Sequence, residues 1–251
     1  MKPQRMISAH ALAAVTLLWF PCPFVQGAEP PPAQSASSGA GKSAATPIVA
    51  PVYKPPTRGA PGGRVGGGTR GKDQVFTLSV LAPDHTGLTS KDQPVLYWYV
   101  SKPLSSPIEL TIIDSSATPI IEKILAPPTK SGIQRLQLAE HGVHLEPGKQ
   151  YQWFLTLVSN PKRRSKDVLA GATIERLALS DNLAAQVSGV DRLSAARYYA
   201  EAGQWYDAIA LLSEQIEANP LDPNPRAQRA ALLQQVGLQE IADYDMNSRG
   251  D

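Results

Sequence analysis

The sequence is almost without cysteine. Its 251 residues contain one, Cys22, which excludes an intramolecular disulfide and any zinc site built from several thiolates. Cys22 also lies in a segment that the next paragraphs predict to be removed, so the remaining chain has no thiolate nucleophile. Without these crosslinks, the fold has to be stabilised by a hydrophobic core.

Motifs for catalysis and metal binding are also missing. The sequence has no G-x-S-x-G elbow and no Ser-x-x-Lys with supporting motifs. Three histidines remain beyond the first segment, and two of them, His141 and His144, stand three residues apart. Gly142 separates them and Pro147 follows, so we expect solvated loop histidines rather than metal ligands. The sequence therefore predicts no enzyme activity, no cofactor and no metal.

An excess of charge of one sign is absent from the chain as a whole, although its segments differ. Residues 29–72 carry six bases and one acid, residues 73–180 eleven bases and ten acids, and residues 181–251 five bases and eleven acids. A nucleic-acid-binding protein usually has a strongly basic domain. A basic beginning and an acidic end without net excess therefore argue against a nucleic-acid partner.

No long hydrophobic run is present either. The longest, Ala11–Phe20, has about ten residues, half of the ~20 that a membrane-spanning helix needs. Lys2 and Arg5 precede this run, and the small residues Gly27 and Ala28 follow it. This layout predicts a secretory signal peptide over residues 1–28, with export to the periplasm or the extracellular space and no transmembrane span after cleavage.

Residues 29–72 are rich in proline, alanine, serine and glycine. Seven glycines fall within Gly59–Gly71 alone. So few large apolar residues cannot offset the entropy lost on ordering, so we predict a disordered linker. The alternative is that the basic glycine-rich strip, with Arg64 and Arg70, lies on a partner or on the following domain.

From residue 73 to 180 the hydrophobic residues alternate with period two, between breaks at proline- and glycine-containing turns. Seven short strands with this spacing predict an antiparallel β-sandwich. The predicted strands are Val75–Leu81, Pro94–Val100, Ile108–Asp114, Ile120–Leu125, Ile133–Leu138, Tyr151–Val158 and Gly171–Leu177. The turn Leu145-Glu146-Pro147-Gly148 before Tyr151 resembles the tyrosine corner of immunoglobulin-like modules, which makes Tyr151 structural and Trp153 part of the core.

Residues 181–251 change to a helical period. The pattern predicts a short helix at Asp181–Val187 and then helices at Arg192–Ala202, Gln204–Ala218, Pro225–Val236 and Leu238–Tyr244. Gly203 and Gly237 are 34 residues apart, as are Ala208 and Ala242, and 34 residues is the tetratricopeptide period. One and a half such repeats cannot stand alone, so we expect these helices to pack on the β-domain or on a partner.

Several local motifs resemble one bacterial family. They include the glycine-rich Gly66–Gly71, the Gly87-Leu88-Thr89 before an aromatic strand, the Pro-Gly-x-x-Tyr-x-Trp turn, Tyr199–Ala208, and Val236–Ala242. On these motifs the chain is similar to the family called domain of unknown function 928 over roughly residues 59–243. The resemblance supports the predicted fold and implies no reaction and no site residues.

Two surfaces are candidates for binding a partner. The first is an aromatic corner between two helices, where Tyr198, Trp205 and Tyr206 remain after Tyr199 is assigned to the core. The second is a basic loop with Lys162, Arg163, Arg164 and Lys166 between two predicted strands. Aromatic packing against the sandwich and a solvated hairpin turn are the simpler explanations of these two features.

The sequence as a whole predicts an exported α+β protein, with an immunoglobulin-like β-sandwich followed by a small tetratricopeptide-like helical segment. We expect a non-catalytic binding or scaffolding protein of the bacterial envelope, with an envelope protein or glycan as a possible partner. One alternative is a carbohydrate- or cell-wall-binding module, which predicts an exposed aromatic strip on a sheet. The other is an unrecognised hydrolase, which predicts a deep pocket with convergent acids or histidines.

Overall fold

The computed structural model of the chain describes residues 50–56, 63–71 and 74–248. The predicted signal peptide and residues 29–49 of the predicted linker lie outside this part. The described strands are β1 Gly67–Gly71, β2 Gln74–Val80, β3 Gly87–Thr89, β4 Val95–Val100, β5 Ile108–Asp114, β6 Pro119–Leu125, β7 Gly132–Gln137, β8 Gln150–Leu157 and β9 Val168–Arg176. The described α-helices are α1 Asp181–Val187, α2 Arg192–Glu201, α3 Trp205–Ala218, α4 Pro223–Gln235 and α5 Gln239–Asn247.

The first sheet has the strand order β1-β2-β4-β7, and all its neighbours are antiparallel. Its central strand β4 is apolar on both faces, and five of its six residues are buried. Such a strand is covered on both sides. One face of β4 carries Leu96 and Trp98, and the other carries Tyr97 and Tyr99. Tyr97 and Tyr99 face the helices, as the contact between Tyr99 and Tyr244 of α5 shows.

The second sheet has the order β3-β9-β8-β5-β6. β3 pairs with β9 in parallel, whereas the other strands of this sheet pair antiparallel. The expectation of an entirely antiparallel sandwich is therefore wrong at β3. This three-residue strand was not predicted, because Gly87-Leu88-Thr89 is too short to show a period of two.

Every second side chain of β8 points into the hydrophobic core. Tyr151, Trp153, Leu155 and Leu157 are buried, while the residues between them are exposed or half-buried. The prediction that Trp153, Leu155 and Leu157 fill the core is confirmed. The largest side chains that are almost wholly buried belong to both sheets, to the segments that follow β2 and β7, and to α3, namely Trp153, Trp205, Tyr151, Leu78, Leu81, Leu96, Ile108, Leu110, Ile112, Leu138, Leu145 and Leu155.

The helices begin and end close to the predicted residues. Asp191 is the N-cap of α2, and its carboxylate accepts a hydrogen bond from the backbone nitrogen of Ser194 at 3.0 Å. Gly203 follows the end of α2 with a φ of +78°, and Gly237 follows α4 with a φ of +73°. Both glycines take the left-handed conformation that ends helices at little cost. No helix in the described ranges is long and apolar enough to cross a membrane.

The beginning of α3 joins the helices to both sheets. The indole nitrogen of Trp205 donates to the carbonyl of Leu81, directly after β2, at 2.8 Å. The hydroxyl of Tyr206 accepts from the indole nitrogen of Trp153 in β8 at 3.0 Å. Asp207 accepts from Thr89 of β3 at 3.0 Å. The helices therefore pack on the protein's own sheets, which was one of the two expected possibilities.

Part of the predicted linker is ordered. Residues 50–56 lie across the helices: the backbone nitrogen of Tyr53 donates to Gln235 at 2.8 Å, and that of Lys54 donates to the carbonyl of Ala200 at 3.2 Å. Val65 bridges to Gly171 of β9, and Gly67–Gly71 form β1 beside β2. The prediction of disorder over 29–72 is wrong for these residues. Hydrogen bonds from their backbone to the helices and strands stabilise them, although the glycine-rich part has few large side chains to bury.

Candidate functional site

A cleft separates strand β7 from the ends of helices α3, α4 and α5. Its volume is about 1170 Å³, larger than the roughly 300–1,000 Å³ of typical small-molecule pockets. One wall is formed by the consecutive residues Thr129–Arg135, which lead into β7 and form its first part. The opposite wall comes from the end of α3, from α4 and from residues 244–248. We call this region the β7 cleft.

A buried ion pair holds the helical wall of the β7 cleft together. Arg229 of α4 donates from Nε and Nη2 to the two carboxylate oxygens of Asp245 in α5, each at 2.7 Å. Its Nη1 donates to the hydroxyl of Ser213 in α3 at 2.7 Å, and that hydroxyl donates to the carbonyl of Ile209. The two charged side chains are 7% and 2% exposed. This bidentate contact fixes the three helices relative to one another.

Tyr97 lies at the floor of the β7 cleft. It is 3% exposed, and its hydroxyl has no hydrogen-bond partner among the described residues. Burial, followed by the negative charge of Glu217, raises the pKa of the Tyr97 hydroxyl to about 12. The hydroxyl of Ser213 offsets part of that rise without reaching hydrogen-bond geometry. Because a buried polar group normally has a partner, Tyr97 offers a bonding group that nothing in the described chain uses.

The rim of the β7 cleft is basic. Arg135 of β7 donates to Glu217 of α3 at 3.0 Å, and the two side chains are 40% and 46% exposed. Arg226 donates from one guanidinium nitrogen to the carbonyl of Pro220, and Lys130 is exposed on the opposite wall. With the paired Arg229 and Asp245, the lining has four bases and two acids. The arrangement suits a ligand with negative charge.

The aromatic corner is mostly closed to a partner. Trp205 is fully buried and Tyr206 is 2% exposed, so the expectation that these two rings are available to bind a partner is wrong. Both rings serve the contacts with the sheets that α3 makes. Tyr198 is half-buried against the core and keeps some exposed surface. Its role in binding stays a prediction.

The basic loop lies far along the chain from the β7 cleft, between β8 and β9. Arg164 does not extend freely: it makes ion pairs with Glu109 of β5 at 2.6 Å and with Asp167 at 2.7 Å. The hydrogen bond from Arg164 holds the pKa of Glu109 below its usual value. Lys162, Arg163 and Lys166 are exposed. Three of the four predicted residues therefore present charge to solvent, and the fourth anchors the loop.

The histidines do not come together. His141 contacts Lys123 at 3.1 Å, and His144 contacts Asp92 at 3.1 Å. The described residues contain no group of three or more histidine, cysteine, aspartate or glutamate side chains that could hold a metal ion.

On the outer face of the second sheet, Phe154 is half-buried over Gly171, and its neighbours across the sheet, Thr111 of β5 and Gly171 of β9, are not aromatic.

Sequence reasoning missed the residues of the β7 cleft, although part of the signal was present. Arg229 lies on the same helical stripe as the buried Pro225 and Leu233, and Asp245 lies one turn after the buried Ile241. Opposite charges on two apolar stripes of neighbouring helices indicate a buried pair. The position of Arg135 at a sheet edge had no such signal, because the strand order depends on the whole fold.

The fold is that of an α+β protein with two β-sheets and a helical segment after them, and the β7 cleft lies where the helices meet the edge of the first sheet. The chain belongs to the family described as Domain of Unknown Function (DUF928), whose pattern matches residues 65–246. The resemblance found in the sequence is thereby confirmed.

Comparisons outside the family give little more. The chain matches no curated protein sequence. Among solved structures, it is similar to a multi-domain immunophilin from Arabidopsis thaliana, with 9% identity over 69% of this chain and 93% of that one. The TM-score of 0.16 is too low for this similarity to support a common fold.

Proposed function

We propose that this protein is an exported, non-catalytic binding protein that recognises a negatively charged partner in its β7 cleft. The observation that carries the proposal is the combination of a basic rim with the buried, unpartnered Tyr97 hydroxyl at the floor. A cleft shaped only by packing would not need a polar group there, because leaving it without a partner costs ~1–3 kcal/mol.

A binding role agrees with the positions of the perturbed groups. Burial raises the pKa values of Asp207 and Tyr206, but both side chains are sealed between α3 and the sheets and are bonded to Thr89, Ser90 and Trp153. Groups with raised pKa values mark active sites when they lie in a cleft. These two groups join elements of the fold instead. Tyr97 does lie in the β7 cleft, but its pKa of about 12 keeps its hydroxyl protonated, so it is a hydrogen-bond donor there rather than a base.

Export is the second part of the proposal. It rests on the predicted signal peptide at residues 1–28, and the protein would act in the periplasm or outside the cell. N-terminal sequencing of the protein from the envelope fraction of its native cells tests this part. We expect the mature chain to begin at or next to Ala28; recovery of a chain that begins at Met1 from the cytoplasm would contradict export.

We propose further that the two sheets form an immunoglobulin-like sandwich and that α2 to α5 form a truncated tetratricopeptide-like unit. The hydroxyl of Tyr151 accepts from the backbone nitrogen of Glu146 at 3.1 Å, which supports a tyrosine corner. Gly203 and Gly237 share a left-handed conformation, and Ala208 and Ala242 are both fully buried. Equivalent conformation and burial at a spacing of 34 residues support the repeat.

The binding proposal is tested by affinity capture from envelope extract with the full chain as bait. Arg135→Glu reverses the charge at the rim of the β7 cleft, while Arg163→Glu makes the same change in the basic loop. We expect a partner that the wild type and Arg163→Glu retain and that Arg135→Glu loses. Equal capture by all three proteins would contradict the cleft as the binding site.

The basic loop is a second candidate surface, for an anionic membrane or glycan. It is favoured by the exposure of Lys162, Arg163 and Lys166 around the anchored Arg164. Co-sedimentation with vesicles that contain anionic phospholipid tests it. Reversal of the three exposed charges together should abolish co-sedimentation, and Arg135→Glu should leave it unchanged. No sedimentation of the wild type, or equal sedimentation of the triple variant, would rule this candidate out.

A further inference from the structure

We infer that the occupant of the β7 cleft is an extended acidic peptide that adds a strand to the free edge of β7. This inference rests on the proposed function and specifies the partner of the same site. Three observations carry it. Backbone groups of β7 point outward without a partner among the described residues, the other sheet edges are covered or protected, and basic side chains lie beside β7.

The backbone of β7 has unpaired groups on its outer edge. β7 is the last strand of the first sheet, and its partner on the other side is β4. The backbone nitrogen of Leu138 donates to the carbonyl of Pro94, so these two residues form a hydrogen-bonded pair. Because hydrogen-bonded and non-hydrogen-bonded pairs alternate along an antiparallel ladder, every second residue of β7 counted back from Leu138 bonds to β4. The backbone N–H and C=O groups of Gln134 and Leu136 therefore point at β4. The backbone N–H and C=O groups of Ile133 and Arg135 point away from β4, along the cleft.

The other three sheet edges are closed or guarded. β3 is covered by α3, through the contacts of Gly87 with Tyr206 and of Thr89 with Asp207. β1 is a short edge strand of five residues, and the chain that leads into it crosses to the second sheet through the bridge between Val65 and Gly171 of β9. β6 begins with Pro119, carries Lys123, and has a register shift against β5. Proline, lysine and irregular pairing are common means of preventing strand addition.

Along Ile133–Arg135 the edge of β7 has no proline and no irregular pairing, and its one charged side chain is Arg135. Instead it forms one wall of a cleft, and a cleft admits a single segment while it excludes a second sheet. Pairing with another copy of β7 would also place Arg135 and Lys130 of two chains beside each other, which like charges disfavour. An extended peptide with acidic side chains avoids that repulsion and uses the same backbone groups.

Arg135 is positioned to recognise a carboxylate of such a peptide. Its present partner Glu217 is half-exposed, and exposed ion pairs of this kind contribute only ~0–1 kcal/mol. An incoming carboxylate can therefore replace Glu217 at little cost. Tyr97 lies directly across β4 and β7 from Arg135 in the register, on the same face.

The probe for this inference is a blocked, fluorescein-labelled hexapeptide of alternating glutamate and valine, titrated into the full chain. Three matched peptides accompany it: one with lysine in place of glutamate, and two with N-methyl groups on alternate amides, one for each edge of the strand. We expect the acidic peptide to bind, and the lysine peptide and one of the N-methylated peptides to bind at least tenfold more weakly. Arg135→Glu should weaken binding at least tenfold, and Arg163→Glu should change it less than twofold.

Hydrogen exchange gives a second measurement. On addition of the acidic peptide, the amides of Ile133 and Arg135 should exchange at least tenfold more slowly. The amides of Gln134 and Leu136, which already bond to β4, should keep their rates. Retained affinity in both N-methylated peptides, or no added protection at Ile133 and Arg135, would overturn strand addition.

The outcomes also distinguish this inference from the binding proposal. If no peptide binds but capture from envelope extract still depends on Arg135, the cleft binds a partner of another kind and strand addition is wrong. If capture is also independent of Arg135, the binding proposal itself fails.

Discussion

Trp153 of β8 and Tyr206 of α3 are joined by a buried hydrogen bond, in which the indole nitrogen donates to the hydroxyl at 3.0 Å. The same hydroxyl donates to the carbonyl of Thr173 in β9 at 3.3 Å. One phenol thus connects the helical segment with two neighbouring strands of the second sheet. Because both rings are buried, water cannot replace either bond.

Tyr206→Phe should therefore destabilise the protein. The change keeps the ring and leaves the Trp153 nitrogen buried without an acceptor, which costs ~1–3 kcal/mol in the free energy of unfolding. Tyr198→Phe is the matched control, since Tyr198 is half-buried, and we expect a change within ~0.5 kcal/mol. Urea unfolding measures both variants. Equal stability of Tyr206→Phe and the wild type would contradict the role of this bond.

The Arg229–Asp245 pair predicts a strongly non-additive pair of substitutions. Arg229→Met leaves a carboxylate buried without a counter-charge, and such a loss costs ~3–5 kcal/mol. Arg229→Met combined with Asp245→Leu replaces both charges by apolar side chains, and should recover most of the lost free energy of unfolding. Urea unfolding of the two single variants and the double variant gives the coupling. Additive effects would show that the two side chains do not act as a pair.

Asp207 predicts an unusual pH dependence. Burial raises its pKa above the usual aspartate value, although hydrogen bonds from Ser90 and Thr89 act in the opposite direction. The folded protein then binds more protons here than the unfolded chain does. Its contribution to the free energy of unfolding therefore falls as the pH rises from the usual aspartate range through the raised pKa. The measurement is the wild-type free energy of unfolding minus that of Asp207→Asn, across this range.

Asp191 provides a control of opposite sign. The hydrogen bond from the Ser194 side chain, and then the one from its backbone, hold the pKa of Asp191 below the usual value. Its contribution is present above the unfolded pKa and is lost as the pH falls through the folded one. The difference between wild type and Asp191→Asn should thus rise with pH, where that for Asp207→Asn falls. Slopes of the same sign would contradict the assignment of one of them.

Gly203 and Gly237 give a matched test of local packing. Both have positive φ, so Gly→Ala at either site costs ~1–2 kcal/mol for the left-handed backbone. At Gly203 an added Cβ would also lie 3.0 Å from the carbonyl oxygen of Lys54, whereas at Gly237 the nearest atom is 4.0 Å away. We expect Gly203→Ala to lower the thermal midpoint more than Gly237→Ala does. Equal losses would mean that residues 50–56 do not pack tightly on this turn.

The elements that sequence predicted well are those with a clear period. β4, β5 and β8 are predicted within a residue or two, because β5 and β8 alternate over seven or eight residues and β4 is a continuous apolar run between turn residues. The helices were found because caps and glycines mark their ends, as Asp191 and Gly203 do. In both cases the information is local to the element.

What could not be predicted depends on contacts between distant elements. Strand β1 is rich in glycine, and its pairing with β2 is made by backbone groups that no side-chain pattern reveals. Tyr206 is a candidate for partner binding in the sequence because the helical period identifies the inward-facing side of a helix for one neighbour only. The sheets provide a second partner on its other side. The β7 cleft depends on the strand order and on the position of α5, and the residues around Arg135 carry no local signal for either.

Tyr53 shows that the folded part of this chain begins before the family pattern does. Its ring packs edge-on against Trp205 with centroids 4.9 Å apart, and its backbone nitrogen bonds to Gln235. The family pattern starts twelve positions later, at residue 65. A fragment cut at that boundary would expose the face of Trp205 and leave the side chain of Gln235 without its partner. Expression and crystallisation of this protein should therefore start upstream of Tyr53, in a stretch that lies outside the part matched by the family pattern.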